Sequence, residues 1–271
     1  MTATTQATGL FDYLLALGDD ALVTGQRLGE WYASAPGMEE DIALANIALD
    51  QVGAARLLLS YAAEASATAM PARADGPLPF VHDGPLDEDV LAYLRDDRQY
   101  RNVQLAELPN GDFAHTIVRL LLLSAYQKLR YDTLAGSADA RIAGIAGKAR
   151  KESAYHLDHA TVWTVRLGDG TDESHARTQA ALDALWPYTT ELFAPDPQLA
   201  DLTEAGVAVD PPSLRESWTA VVEPVLAEAT LTVPDTAWTP GGGRRGMHTE
   251  HLSFLLAEMQ SLYRAHPGAS W

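Results

Sequence analysis

The chain contains no cysteine. That excludes disulfide staples, thiolate zinc sites and cysteine-ligated iron–sulfur clusters. Basic residues are few, 19 against 37 acidic ones, for a formal net charge of −18. A chain so acidic lacks the electrostatic footprint of nonspecific binding to nucleic acid or to an anionic membrane. Long apolar runs are also missing. Runs such as Leu120 to Leu123, between Arg119 and Lys128, are far too short to span a bilayer. The N-terminal stretch from Met1 to Gln6 has neither the basic nor the apolar region of a signal peptide. The expectation is a water-soluble, cytoplasmic protein.

What is present is helical periodicity, with no convincing alternating strand pattern. Apolar spacing predicts long helices over about 9–34, 38–66, 111–136 and 138–167, and further helices over about 171–194, 212–230 and 246–265. Between the second and third, residues 67–110 hold Pro71, Pro77, Pro79 and Pro85, which reads as a long crossover with one short helix. Two helical hairpins joined by one long crossover is the connectivity of a ferritin-like four-helix bundle. The predicted class is therefore all-α, a single ferritin-like domain over 1–271 whose C-terminal helices cover the bundle.

Such bundles can hold two metal ions with six side chains, a Glu from each of two helices and Glu-x-x-His from each of the other two. Glu-x-x-His occurs nowhere here. The nearest substitute is Glu152, His156 and His159 on the predicted seam Ile142, Ile145, Ala149, Glu152, His156, His159, Trp163. Polar groups on an apolar stripe need partners or a ligated ion, so two readings stand: half of a metal site, or a buried Glu–His hydrogen-bond network. The other helices offer little. No histidine precedes His82, and no Asp or Glu occurs from Phe113 to Tyr131. The first helix's seam, Leu10, Leu14, Leu17, Ala21, Thr24, Leu28 and Trp31, carries no carboxylate. Asp19, Asp20 and Glu30 fall off that stripe and are expected to face solvent or neighbouring loops. On the second helix, Asp50 is the one carboxylate placed to point inward. Asp112…His115 and Asp172…His175 sit at predicted helix starts and read as caps.

Several strings carry a resemblance: Leu17-Gly18-Asp19-Asp20-Ala21-Leu22, Gly25-Gln26-Arg27-Leu28-Gly29-Glu30-Trp31, Asp41 to Asp50, Pro109-Asn110-Gly111-Asp112-Phe113-Ala114, His248-Thr249-Glu250-His251-Leu252 and Ala257-Glu258-Met259-Gln260. With these, over about residues 10–271, the chain resembles the C subunits of bacterial phenylacetyl-CoA epoxidases, the ring 1,2-epoxidases of phenylacetate degradation. The resemblance implies a ferritin-like, metal-free structural subunit of a multicomponent monooxygenase. Its partner would be a homologous A subunit that carries a di-iron centre and binds the CoA ester. Small additional subunits and a flavin/iron–sulfur reductase would complete the system. Where the catalytic relative would show Glu-x-x-His, this chain has Gln51 and Ala54. The competing reading is a diverged dinuclear-metal oxidase or oxygenase using Glu152, His156, His159 and Asp50. A last feature is the loop Thr239 to His248, where Gly241-Gly242-Gly243 precedes Arg244 and Arg245. Backbone N–H groups and two guanidiniums favour phosphate, which makes Arg244 and Arg245 candidates for contact with CoA. The bland alternative is a connection whose arginines pair with carboxylates.

Overall fold

The computed structural model describes residues 3–69, 86–267 and 269. Among these every regular element is helical. Four long helices, α1 (Ala3–Gly29), α2 (Met38–Ala69), α5 (Phe113–Leu134) and α6 (Ala140–Gly168), make two hairpins. Between them come α3 (Glu88–Tyr93) and α4 (Gln104–Glu107); the four prolines noted in the crossover lie outside the described residues. The C-terminal part contributes α7 (Asp172–Leu185), a 3-10 helix at Trp186–Phe193, α8 (Ala200–Glu204), α9 (Arg215–Glu228), α10 (Glu250–Met259) and α11 (Ser261–Ala265). The connectivity is that of ferritin-like bundles.

Local chemistry sets the ends. Asp112 caps α5 by accepting from His115 N, and Asp139 caps α6 by accepting from Arg141 N and Ile142 N. At the start of α7 the cap is Thr171, so Asp172 is the first helical residue and not the cap. The helix expected to reach residue 34 stops at Gly29, and a turn follows in which Ala33 adopts φ 62°. The expected helix over 171–194 changes to 3-10 geometry at Trp186, where Pro187 cannot donate to the α ladder.

Within the first hairpin, α1 and α2 approach closely because two glycines one heptad apart face α2. A Cβ on Gly18 would meet the Leu59 side chain at 2.8 Å, and one on Gly25 would meet the Ala48 carbonyl at 3.1 Å. The hairpins join through α2 against α6 and through side chains of α1 and α5. One continuous set of buried apolar residues runs from Phe11 to Leu256, so the C-terminal helices share the bundle's core. Trp218 on α9 illustrates the seal: it packs against Trp186 and Phe193, and its indole N–H donates to Leu122 O on α5 at 3.0 Å.

The C-terminal helices and the segment from Asp96 to Leu108 cover α1 and α5, but they leave one side of α2 bare. The segment Met38–Ser66 is long and apolar enough by composition to cross a membrane, although its longest unbroken apolar run, Ile42 to Ala45, is four residues. Its inner side packs along α1 as a core helix does.

Candidate functional site

At the centre of the bundle stand neutral groups. Gln51 on α2 and Gln127 on α5 exchange two hydrogen bonds, Gln51 Nε2 donating to Gln127 Oε1 at 2.7 Å and Gln127 Nε2 to Gln51 Oε1 at 3.1 Å. Gln51 Nε2 also lies 3.5 Å from His156 Nδ1 on α6. The second ring nitrogen, Nε2, is 3.1 Å from Asp50 Oδ2. One ring nitrogen thus faces a donor and the other an acceptor, which suits a neutral imidazole with its proton on Nε2. Burial lowers the His156 pKa, and the opposing hydrogen bond and charge of Asp50 do not reverse this.

The residues expected to converge do so only in part. Asp50 and His156 meet. Glu152 lies at the edge of the bundle and pairs with Lys148 at 3.0 Å. His159 Nε2 sits 3.3 Å from Glu40 Oε2, an ion-pair distance without hydrogen-bond alignment. The expected Glu152–His156 network is therefore corrected to Asp50–His156–Gln51–Gln127. Among the described residues no three histidine or acidic side chains come together. The buried position beside His156 is Ser153, one residue after Glu152. Ser153 and His156 are i and i+3 on α6, and Gln51 and Ala54 are i and i+3 on α2; all four are buried. Thr24 on α1 is buried as well, and its neighbour Gly25 lies against Gln51. Thr24, Gln51, Ala54, Gln127, Ser153 and His156 are thus buried positions on the four long helices.

Replacing His156 with alanine orphans the Gln51 amide and the inward side of Asp50. We expect a loss of about 1–3 kcal/mol, with metal content the same before and after. Urea denaturation and elemental analysis of the two proteins check both halves.

The charge of the interior lies elsewhere, on α1. Asp19 and Asp20, expected to face solvent or loops, are both buried. Asp19 forms a two-pronged ion pair with the fully buried Arg95 and accepts from Arg101 N at 2.8 Å. Asp20 accepts from Arg244 through both oxygens, at 2.9 and 2.7 Å, from Arg130 Nη1 at 2.8 Å and from Val103 N at 2.9 Å. Burial acts to raise the Asp20 pKa, but the guanidiniums of Arg244 and Arg130 outweigh it and hold the carboxyl below its usual range.

The glycine-rich loop binds anions, and those anions are the chain's own. Gly242 N and Gly243 N donate to Glu191 Oε1 at 2.8 and 2.6 Å, and Gln104 N donates to Oε2 at 2.7 Å. Gly242 has φ 113°, and a Cβ on Gly243 would lie 2.1 Å from Asn102 O, so side chains are excluded at both. Arg244 is committed to Asp20 and to the carbonyls of Ala16 and Arg101. Arg245 is exposed at the edge of a cavity of about 350 Å³ that Tyr13, Tyr126 and Glu191 also line.

Over residues 1–271 the sequence matches the family described as phenylacetic acid catabolic protein. The chain belongs to that family. It is also 46% identical over 259 residues to the C subunit of the 1,2-phenylacetyl-CoA epoxidase of Escherichia coli (strain K12), covering 96% of this chain and 98% of that protein. This places the chain in phenylacetate catabolism, and it accords with the strings in α1, α2 and α10 that carried the resemblance.

Proposed function

We propose that the chain is the structural, metal-free subunit of a multicomponent phenylacetyl-CoA ring-1,2-epoxidase, acting in the cytoplasm beside a homologous subunit that holds the di-iron centre. The observation that carries this reading is the make-up of the bundle centre. A carboxylate-bridged pair of metal ions needs several acidic ligands converging on one point. The groups that meet there are two glutamines and one histidine, with Asp50 as the single carboxylate bonded to that histidine; Thr24, Ala54 and Ser153 are buried on α1, α2 and α6. This donor set does not fit two metal ions. The alternative site built from Glu152, His156, His159 and Asp50 loses its basis, because Glu152 and His159 each pair with another residue away from Asp50.

The role left to such a bundle is mechanical. Its helices keep the shape of a catalytic relative, while an amide pair and an Asp–His bond hold the centre that a metal centre would otherwise cross-link. The small additional subunits and the reductase belong to the same proposal. The expected contact with CoA phosphate narrows to Arg245, since Arg244 is spent on Asp20.

The test is turnover. Supplied with reductase, reductant, oxygen and phenylacetyl-CoA, the purified chain is expected to form no epoxide. Adding the catalytic subunit should restore turnover and yield a complex that elutes as one species. Epoxide formed by the chain alone, or iron retained near stoichiometry after purification, overturns the reading.

A further inference from the structure

The cavity beside Arg245 is walled by widely separated parts of the chain. It measures about 350 Å³ and lies between the first half of α1, the second half of α5, the 3-10 helix at Trp186–Phe193, the stretch from Ala194 to Pro211 and the arginines of the glycine-rich loop. That volume is at the lower end of the range for small-molecule sites. It admits a body the size of one substituted ring and is too small for a whole CoA thioester. Part of the wall is apolar and buried: Leu17, Leu192, Val209 and the rings of Tyr13 and Tyr126. The Tyr13 oxygen accepts from Val209 N at 3.4 Å, and burial raises its pKa, so the hydroxyl keeps a proton to donate.

The rest of the wall holds guanidiniums whose N–H groups are only partly spent. Arg130 is buried, gives Nη1 to Asp20 and stacks on the Tyr126 ring at 4.9 Å, but its Nε and Nη2 make no aligned hydrogen bond. Arg101 gives Nη1 to the carbonyls of Arg98 and Tyr100. Arg245 is exposed and, among the described residues, has no carboxylate at ion-pair distance. The acids nearby have other work. Glu191 is held by three backbone N–H groups, and Asp196 accepts from Gln198 N at 3.0 Å. With Asp12 and Asp20 they balance Arg101, Arg130, Arg244 and Arg245. A site so balanced has no excess charge for a polyphosphate, yet half-desolvated guanidiniums with free N–H groups favour one further anion. We infer that the cavity binds a small organic acid, one carboxylate on an aromatic or similarly compact apolar body. Arg101 and Arg245 would take the carboxylate, and the body would pack against Tyr13, Tyr126, Leu17 and Val209. Membership of a phenylacetate-catabolic family makes arylacetates the class to try first. Because Arg130 and Arg244 belong both to the wall and to the ion cluster of Asp20, the occupant also stabilises the fold.

The probe is free phenylacetate, with phenylacetamide as its uncharged counterpart and free coenzyme A as the source of phosphate. In calorimetric titration the full-length chain should bind phenylacetate saturably and one to one, and phenylacetamide about tenfold more weakly or less. Arg245→Gln should weaken phenylacetate about tenfold. Ala16→Leu, which fills the cavity from α1, should abolish binding; both variants should keep the circular dichroism of the natural chain. Arg177→Gln, on the exposed side of α7, should bind as the natural chain does. The inference is overturned if phenylacetate shows no saturable binding at millimolar concentration. Equal affinity for the amide overturns it too, as does an affinity that neither cavity substitution alters. Binding of coenzyme A in preference to phenylacetate, lost in Arg245→Gln, would return that arginine to phosphate contact and reject the organic-acid site. None of these outcomes touches the turnover test of the structural-subunit reading, so the two readings fail separately.

Discussion

Replacing Asp20 with asparagine should cost about 3–5 kcal/mol of folding stability, the range for removing one partner of a buried ion pair. In a chain of this size that corresponds to a fall in Tm on the order of 10 °C. The reason is geometric. Asp20 is the shared counter-charge of Arg130 on α5 and Arg244 in the C-terminal loop, and it also accepts Val103 N from the crossover. One carboxylate thus ties α1 to three distant parts of the chain. Asparagine keeps the shape but leaves two guanidiniums largely out of water without compensation. A useful contrast is Glu173→Gln, which breaks the exposed i, i+4 pair with Arg177 at 2.6 Å and should change stability by about 0.5 kcal/mol or less. Urea unfolding of the three proteins at neutral pH measures both effects. An Asp20→Asn loss no larger than that of the surface control would show that the ion cluster contributes little. The pH dependence has a definite sign. The folded carboxyl titrates below its ordinary value of 3.8, so its contribution is present above that value. It disappears as pH falls through the lower, folded pKa.

The four long helices were legible because their apolar spacing and Asx caps are local signals. Asp112 announced α5 within a residue or two. The lack of Asp or Glu from Phe113 to Tyr131 and of histidine in the first hairpin can be counted without a structure. The identity of the buried polar residues on α6 was not. A seam drawn at heptad spacing drifts by roughly 20° per heptad from a straight helix. Starting from Ile142 and Ile145, the drawn stripe reached Glu152, His159 and Trp163, whereas the buried line passes through Ser153, Ala160 and Thr164. His156 lies near both lines and was found by either. Asp19 and Asp20 do face neighbouring loops, as one expectation had it, but their complete burial was not legible. Position off a helix stripe implies solvent only when a helix has an outer face, and α1 is covered nearly all round by segments far along the chain. Their partners, Arg95, Arg130 and Arg244, lie 76, 110 and 224 residues away, and no local pattern reports such distances. The glycine-rich loop was chemically legible as an anion binder, but a sequence does not say that Glu191 will be the anion.

Glu107 anchors the C-terminal helices, and its removal should be both costly and dependent on pH. The side chain is fully buried at the end of α4 and accepts from Asn102 Nδ2 at 2.8 Å, from Thr249 N at 2.6 Å and from His248 Nδ1 at 2.7 Å. The other nitrogen of His248 lies 3.0 Å from Tyr100 O. Both ring nitrogens face acceptors, so only the imidazolium satisfies both. Burial would lower the His248 pKa, but the hydrogen bond and charge of Glu107 and the Tyr100 carbonyl outweigh it and raise it. A raised folded pKa contributes stability that is fully present below the ordinary value of 6.5 and is lost as pH rises through the folded value. In Glu107→Gln the largest raising influence is gone and burial dominates, so the histidine should instead favour folding as pH rises. The difference between natural and substituted chains should therefore be greatest at mildly acidic pH, about 3–5 kcal/mol, and shrink above the folded His248 pKa. Unfolding curves at several pH values between about 5 and 9 measure this difference, and His248→Gln provides the cross-check that histidine is its source. A constant difference across that span would mean that Glu107 acts through Asn102 and Thr249 alone, with His248 neutral at every pH.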